Sequence, residues 1–283
     1  MDFNRISQSI DVEKMQNSHV TIIGSPVRLF RDLVHTGLGA GTMVDFDRVS
    51  GSNPARQDFY STDITRLKGE TVAKDVQKIN PEFEFEFYAL DYCTIPREQH
   101  DQLFGHTDLF VFAADFFPAN ARGNLEALRL GKPALFIGLY AGGRAGEIIF
   151  VLPGETACYR CICGSRYDAF ARGGASVSSA GGTISDLHLV DAIADQIGSG
   201  LITRGANNRF GQLIDKLGNR NLLQVKIDPD YRMAGKDIFA AYLGDHPANF
   251  SFTTIALPME REIDCPDCSH LYTEETEAEL CIE

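Results

Sequence analysis

The sequence is poor in basic residues. Its 26 Lys and Arg are outnumbered by 39 Asp and Glu, which gives a formal net charge of −13. Proteins that bind nucleic acids neutralise backbone phosphates with clustered Lys and Arg. The deficit therefore argues against a nucleic acid as a partner.

Long apolar runs and an export signal are also missing. No segment approaches the roughly 20 apolar residues that a membrane-spanning helix needs. Residues 1–20 alternate polar and apolar side chains and contain no apolar core of a signal peptide. The cysteines number seven, an odd count, and without export a disulfide framework explains them poorly. We expect a cytoplasmic protein with no membrane segment.

What is present is an ordinary globular composition, 44 % hydrophobic and 23 % charged, over 283 residues. A buried strand ends at Gly24, a helix covers 27–35 and a second strand covers 39–45, which together form a βαβ opening. The alternation continues with helices at 67–79, 96–104 and up to 130, and with strands at 83–87, 108–113 and 133–138. It predicts an α/β fold with a mainly parallel, doubly wound sheet of the Rossmann-like type.

The later part of the chain has a different pattern. A strand at 147–152 leads into the first of two cysteine pairs. The passage 164–182, rich in Gly, Ser and Ala, is interpreted as a mobile loop. We predict a helix at 184–202, strands at 222–227 and 250–257, and an acidic, solvated tail at 274–279.

Charged and amide side chains follow the predicted strands. Asp45 and Asp47 close the second strand about 20 residues after Gly24, the spacing at which a doubly wound sheet places an acid on the ribose of a nucleotide. The alternative is that both acids merely end a strand. Loops at the carboxyl ends of parallel strands converge on one crevice, so further polar residues could meet around a ligand. These residues are Asn53, Arg56, Gln57, Lys68 and Asp115.

Four of the seven cysteines form two Cys-x-x-Cys pairs, Cys158 with Cys161 and Cys265 with Cys268. Thiolates at this spacing are typical of a tetrahedral metal site, and four protein ligands leave no open position for a substrate. The alternative is a set of reduced, buried thiols that happen to lie in pairs.

Several short motifs are spread along the chain. They are Asn4-Arg5, Val44-Asp-Phe-Asp47, Ser52-Asn-Pro-Ala-Arg-Gln57, Asp63-Ile-Thr-Arg-Leu-Lys68, Asn80-Pro81, Ala114-Asp115, Gly131-Lys-Pro133, Gly138-Leu-Tyr140, Leu152-Pro-Gly154 and the two cysteine pairs. In this order they resemble the ThiF/MoeB/HesA family and the related adenylation domains of ubiquitin-activating enzymes. The resemblance covers roughly residues 1–200, with the second cysteine pair beyond. It implies one adenylation domain over 1–283, comprising a nucleotide-binding core at 1–157 and a zinc-site and partner-binding part at 158–283.

The resemblance also implies a reaction. The C-terminal glycine carboxylate of a ubiquitin-like or sulfur-carrier protein would attack the α-phosphate of ATP, giving an acyl-adenylate and pyrophosphate. Because two anions must approach one another, the site needs cations and Mg²⁺ around the phosphates.

Individual roles follow from the same resemblance. Gly24 would belong to the phosphate loop, and Asp115 would hold Mg²⁺. Arg56 and Lys68 would stabilise the phosphates. Asn53 and Gln57 would orient the nucleotide, and Asp45 or Asp47 would bind the ribose. Arg5, on an N-terminal helix, would enter the neighbouring protomer's site in a homodimer, and the paired cysteines would hold a structural Zn²⁺.

Two features depart from the family pattern. The loop after Gly24 is roughly three residues short and lacks the further glycines of a phosphate loop, and Pro26 removes an amide donor. Either Arg28 supplies the missing positive charge or this subunit does not bind ATP productively. For onward transfer as a thioester or persulfide, Cys163 is the first candidate because it adjoins the predicted loop, and Cys93 and Cys281 are weaker ones. The alternative for Cys163 is a buried, inert thiol.

Two rival functions stay open at this point. One is a non-catalytic subunit or scaffold that pairs with an active homologue. The other is an enzyme that adenylates a small peptide or another carboxylate. For the activating enzyme that the resemblance implies, the acidic net charge suits a basic protein partner.

Overall fold

The computed structural model describes residues 1–174, 181–233 and 235–271. In chain order its helices and strands are α1 (Val12–Gln16), β1 (His19–Ile23), α2 (Val27–His35), β2 (Ala40–Val44), α3 (Lys68–Ile79), β3 (Glu84–Tyr88), α4 (Arg97–Phe104), β4 (Leu109–Phe112), α5 (Phe117–Leu130), β5 (Ala134–Leu139), β6 (Ala145–Val151), α6 (Tyr159–Ala171), α7 (Ile184–Thr203), α8 (Leu213–Leu217), β7 (Leu222–Lys226), α9 (Ile238–Leu243) and β8 (Thr253–Leu257).

The eight strands form one sheet in the order β3-β2-β1-β4-β5-β6-β7-β8. β3, β2, β1, β4 and β5 are parallel, and β6, β7 and β8 continue the sheet in antiparallel pairs. The chain starts in the middle of the parallel part, builds outward to β3 and then crosses to β4. This reversal of strand order confirms the predicted Rossmann-like fold and places a ligand-binding crevice at the carboxyl ends of β1 and β4.

Both faces of the sheet are covered by helices, and β4 shows why. All four residues of this strand are fully buried; Leu109 and Val111 belong to one core, whereas Phe110 and Phe112 belong to the other. Successive side chains of a strand point to opposite faces, so a strand buried on both faces is apolar throughout. Side chains of α2, α3 and α7 fill the first core, and those of α4, α5 and α6 fill the second.

The predicted mobile loop over 164–182 is wrong in its first part. α6 continues through Ala171 with a kink at Cys163, because Tyr167 and Phe170 pack against Phe117 of α5 and a single glycine, Gly164, is tolerated within a helix. Residues 175–180 lie outside the described residues. The chain then enters α7 through a capping box, in which Thr183 and Asp186 satisfy each other's backbone N–H groups.

The predicted acidic tail and Cys281 also lie outside the described residues. Among the helices that are described, none combines the length and the apolar character required to span a membrane.

Candidate active site and metal centre

A cleft of about 680 Å³ lies at the carboxyl ends of the parallel strands. Its walls come from the segments that follow β1, β2, β3 and β4, together with one side of α7. This volume lies in the range of small-molecule sites. The cleft brings together Gly24, Asp45, Asp47, Asn53, Arg56, Gln57, Lys68 and Asp115, all eight residues predicted from the sequence to surround a nucleotide.

The loop between β1 and α2 is only Gly24-Ser25-Pro26. Gly24 has a φ of +94°, and a Cβ at this position would lie 2.9 Å from the carbonyl oxygen of Ala113. Only glycine is tolerated there, because other residues rarely adopt such a φ and the neighbouring backbone leaves no room. The structure thus confirms a very short loop, with a close approach of backbone to backbone at its first residue.

Lys68 lies between two acids at the floor of the cleft. Its Nζ atom donates a hydrogen bond to Asp47 Oδ2 at 2.8 Å and lies 3.6 Å from Asp45 Oδ2. The Lys68 side chain is 10 % exposed and that of Asp45 is 8 % exposed, whereas Asp47 reaches into solvent. The three groups therefore form a half-buried charge cluster whose cation can also meet an incoming anion.

A short chain of hydrogen bonds connects the next wall to the loop. Asn53 Nδ2 donates to Gln57 Oε1 at 3.0 Å, and Gln57 Nε2 donates to the carbonyl oxygen of Ser25 at 3.1 Å. Asn53 lies in a 3₁₀ turn that also carries Arg56 at its end, so this turn holds Arg56 at the edge of the cleft. Asp115 is exposed and also lines the cleft, shortly after the end of β4.

The wall after β3 was not predicted from the sequence. Residues Leu90, Asp91, Tyr92 and Cys93 line the cleft, and Arg122 on α5 fixes them by donating from Nη1 to the carbonyl oxygen of Cys93 at 2.6 Å and from Nη2 to that of Ile95. The Arg122 guanidinium also lies 5.3 Å above the Tyr92 ring centre. The available signal was the position of this segment, since every segment after a parallel strand opens toward the same crevice.

Leu187, Val190 and Asp191 of α7 also line the cleft and were not predicted to do so. α7 is distant in sequence, and its packing against α2 and against strands β5 and β6 brings it there. The sequence signal that could have identified Asp191 is an acidic residue on the apolar side of a helix.

The four paired cysteines form one cluster. Their Sγ atoms all lie within 4.8 Å of one another, with Cys158 3.7 Å from Cys161 and from Cys265, and Cys161 3.6 Å from Cys268. Sulfurs bound at about 2.3 Å to one tetrahedral Zn²⁺ are about 3.8 Å apart. The residues thus fit the predicted metal site, and no disulfide joins the four described thiols.

Hydrogen bonds around this cluster connect it to the sheet. Asn124 on α5 donates from Nδ2 to Asp267 Oδ2 at 2.9 Å and lies 3.7 Å from Cys158 Sγ. Asp267, which is 3 % exposed, also accepts hydrogen bonds from Arg160 at 2.9 Å and from Tyr167 at 3.2 Å. A metal in the cluster would therefore fix the C-terminal segment to α5 and α6.

Cys163 does not adjoin a loop, contrary to the prediction. It is buried inside α6, and burial with the nearby Glu147 raises the pKa of its thiol to about 12. A thiol that stays protonated at neutral pH and is closed off from solvent does not suit a transfer step. The structure therefore argues against Cys163. Cys93 is half-buried at the cleft wall, and burial raises the pKa of its thiol too.

Arg5 lies in a turn before α1 rather than on a helix, which corrects that detail of the prediction. Its side chain is exposed, and it is not among the described residues that line the cleft of its own chain.

The fold and the cleft define an α/β protein with a Rossmann-like sheet, a cleft at the carboxyl ends of its parallel strands and a four-cysteine cluster that could hold a metal ion. The ThiF family model matches residues 2–199, and the chain belongs to the ThiF family.

The chain is similar to characterised proteins over parts of its length. It is 31 % identical over 157 residues to a sulfur carrier protein adenylyltransferase of Thermus thermophilus, a match that covers 53 % of this chain and 57 % of that protein. It is 28 % identical over 178 residues to the sulfur carrier protein ThiS adenylyltransferase of Bacillus subtilis, covering 60 % and 49 %. With ubiquitin-like modifier-activating enzyme 5 of Dictyostelium discoideum it shares 27 % identity over 139 residues, covering 46 % and 36 %. The matches thus span about half the length of these relatives.

Among solved structures, that of E. coli MccB with ATP superimposes with a TM-score of 0.66 at 18 % sequence identity. The superposition covers 91 % of this chain and 68 % of MccB, so the fold is shared over almost the whole chain.

Proposed function

We propose that the protein uses ATP to adenylate the C-terminal glycine carboxylate of a ubiquitin-like or sulfur-carrier protein, releasing pyrophosphate. The observation that carries this proposal is that Arg56, Lys68 and Asp115 lie in one cleft beside the loop after β1. The names of the similar proteins from T. thermophilus, B. subtilis and D. discoideum support it.

The charges of the cleft suit a reaction between two anions. Arg56 and Lys68 would neutralise phosphate oxygens and so lower the repulsion that the attacking carboxylate meets. Lys68 is already held in place by Asp47 and Asp45, so it needs little ordering when a phosphate arrives. Asp115 would hold Mg²⁺ through its carboxylate, and Mg²⁺ would neutralise charge on the departing pyrophosphate.

The remaining cleft residues would orient the nucleotide. Asp45 or Asp47 would accept hydrogen bonds from the ribose hydroxyls. Gln57 hydrogen-bonds to Asn53 in the 3₁₀ turn and to Ser25 in the loop. It would thereby keep the turn and the loop at a fixed distance from each other, with the phosphates between them. The four-cysteine site would hold a structural Zn²⁺ with no open position, and it takes no part in the chemistry.

We also propose a cytoplasmic homodimer in which Arg5 enters the partner's cleft. The exposure of Arg5 and its position outside the cleft of its own chain support this arrangement. A molecular mass in solution equal to that of a single chain would count against the homodimer with its shared site.

A later transfer step that forms a thioester or persulfide would need a thiol other than that of Cys163.

The test is ATP–pyrophosphate exchange by the purified, zinc-loaded chain with a small ubiquitin-like protein that ends in Gly-Gly. We expect exchange that requires this protein and that falls at least tenfold in the Lys68→Ala variant. The matched control for the substrate is the same small protein without its terminal glycine, which offers no carboxylate at the required place.

A second candidate function is a non-catalytic subunit that pairs with an active homologue. The three-residue loop Gly24-Ser25-Pro26 favours it, because few backbone amides are left for a triphosphate. Absence of exchange together with absence of Mg-ATP binding by the folded chain would support this candidate and contradict the first.

A further inference from the structure

A buried carboxylate lies at the loop end of the cleft and has no role in the proposed reaction. Asp191 on α7 is 5 % exposed, and it lines the same cleft as Gly24, Ser25 and Pro26. An acid at the end of a cleft that is to receive phosphates requires an explanation, since like charges repel one another.

The Asp191 carboxyl faces the N-terminus of α2. The backbone N–H of Leu29, the third residue of that helix, hydrogen-bonds to it. Pro26, the N-cap residue of α2, makes no side-chain capping hydrogen bond, and the N–H of Val27 already donates to the Ser25 carbonyl oxygen at 2.9 Å. Asp191 thus caps α2 from another helix. Amides at such a helix end are also what a phosphate group would bind.

Charged groups of α2 and of the segment that carries Asp58 act on this carboxyl. Asp32 and Arg28 of α2 form an ion pair at 2.9 Å, and Asp58 is paired with His188 of α7 at 2.7 Å. The two acids disfavour a charge on Asp191, and Arg28 favours it.

Burial is the largest of the effects on this group. It raises the pKa of Asp191 to about 7, with Asp58 and Asp32 acting in the same direction and the Leu29 amide and Arg28 opposing them. Near neutral pH the carboxyl is therefore divided between its charged and neutral forms.

We propose that the binding of a nucleoside triphosphate in this cleft is coupled to the uptake of one proton by Asp191. The inference rests on the proposed function, because it assumes that the cleft receives a triphosphate. A phosphate brought to the end of α2 adds negative charge beside Asp191 and so favours the neutral acid. The neutral acid can donate its O–H to a phosphate oxygen while its carbonyl oxygen still accepts from Leu29. Two anions at one helix end thereby become one anion and one neutral donor.

The coupling has a defined pH dependence. Below the pKa of the empty site, Asp191 is already neutral and nucleotide affinity is at its maximum. Above it, each bound triphosphate must be accompanied by one proton, so the affinity falls by up to about tenfold per pH unit. The fall continues until the pH exceeds the higher pKa that Asp191 has when the nucleotide is bound.

The experiment is calorimetric titration of the zinc-loaded full chain with Mg-ATP at pH 6.5, 7.5 and 8.5, in pairs of buffers that differ in ionisation enthalpy. The wild-type protein is expected to take up part of a proton at pH 7.5 and up to one proton at pH 8.5, and its Kd is expected to rise with pH. The Asp191→Asn variant keeps an oxygen that accepts a hydrogen bond from Leu29, but its side chain does not titrate. Its proton uptake is therefore expected to be lower than that of the wild-type protein by the share that Asp191 contributes. Titration of the nucleotide itself is common to all variants and cancels in their difference.

Asp195→Asn is the matched control. Asp195 lies one turn further along α7 and is also buried, and burial is the main reason that its pKa is raised to about 7. Unlike Asp191, it is not among the described residues that line the cleft. It is expected to keep the wild-type proton uptake. Equal uptake in wild type and Asp191→Asn would overturn the inference. Absence of Mg-ATP binding in every variant at every pH would instead overturn the proposed function. Should Asp191→Asn not fold, Asp191→Ser, which can also cap α2, replaces it.

Discussion

Lys68 and Lys78 lie on the same helix, and each pairs with an aspartate at 2.8–2.9 Å, but their surroundings differ. The Lys68 side chain is 10 % exposed and lines the cleft, whereas that of Lys78 is 72 % exposed. We expect Lys68→Ala to raise the Kd for Mg-ATP by about 10- to 100-fold, because a hydrogen bond to a charged group contributes about 1.5–3 kcal/mol. Lys78→Ala removes an ammonium group that is 72 % exposed and is not among the described residues that line the cleft, so it is expected to leave the Kd unchanged. Calorimetry measures the Kd of both variants, and equal effects would show that Lys68 acts only as a structural charge.

At the scale of single residues, the sequence predicted the cleft residues well where a residue follows a strand, as Asp45 and Asp115 do.

The four-cysteine segment shows how separate elements become connected. Asp267 is buried between α5 and α6, and its carboxylate accepts hydrogen bonds from Asn124, Arg160 and Tyr167. We expect Asp267→Asn to weaken zinc retention by about 10- to 100-fold, because groups that hold the ligands in place affect metal affinity on that scale. Competition with a chromophoric chelator measures this loss.

Asp264 provides the control for that prediction, since it belongs to the same segment but is exposed. Asp264→Asn is expected to retain zinc as the wild-type protein does. If Asp267→Asn released zinc no faster than Asp264→Asn, the hydrogen bonds of Asp267 would have no part in holding the site.

Helices and strands could be predicted from the sequence where the hydrophobic pattern of the segment itself determines its structure. The alternating Phe-Glu pattern of β3 and the amphipathic pattern of α3 gave bounds within a residue or two of the observed ones. The second half of α6 was missed, because the passage from Gly164 onward has the composition of a loop, whereas packing of Tyr167 and Phe170 against Phe117 of α5 stabilises the helix. Tertiary packing of this kind overrides local propensity.

At the scale of the whole molecule, the unpredicted part of the cleft is the part that distant segments bring together. α7 lies between β6 and β7 in the chain, and its contacts with α2 place two buried acids, Asp191 and Asp195, beside that helix. Sequence periodicity marks α7 as a helix but does not say which helix it packs against. The consequence of that packing is a measurable dependence of global stability on pH.

Burial raises the pKa of Asp195 to about 7, and its Oδ1 atom makes no hydrogen bond within the described chain. In the unfolded chain an aspartate has a pKa near 3.9. The folded state therefore binds the proton more tightly, so the stabilisation is complete below about pH 4 and is lost as the pH rises to about 7. We expect the free energy of unfolding to fall between pH 5.5 and 7, by up to about 1.4 kcal/mol per pH unit for each such residue. Asp195→Asn should remove one residue's share of this slope, whereas Asp168→Asn, at an exposed position of α6, should leave it unchanged. Urea denaturation at several pH values measures the slope, and a wild-type slope that Asp195→Asn does not reduce would show that Asp195 ionises as freely in the folded chain as in the unfolded one.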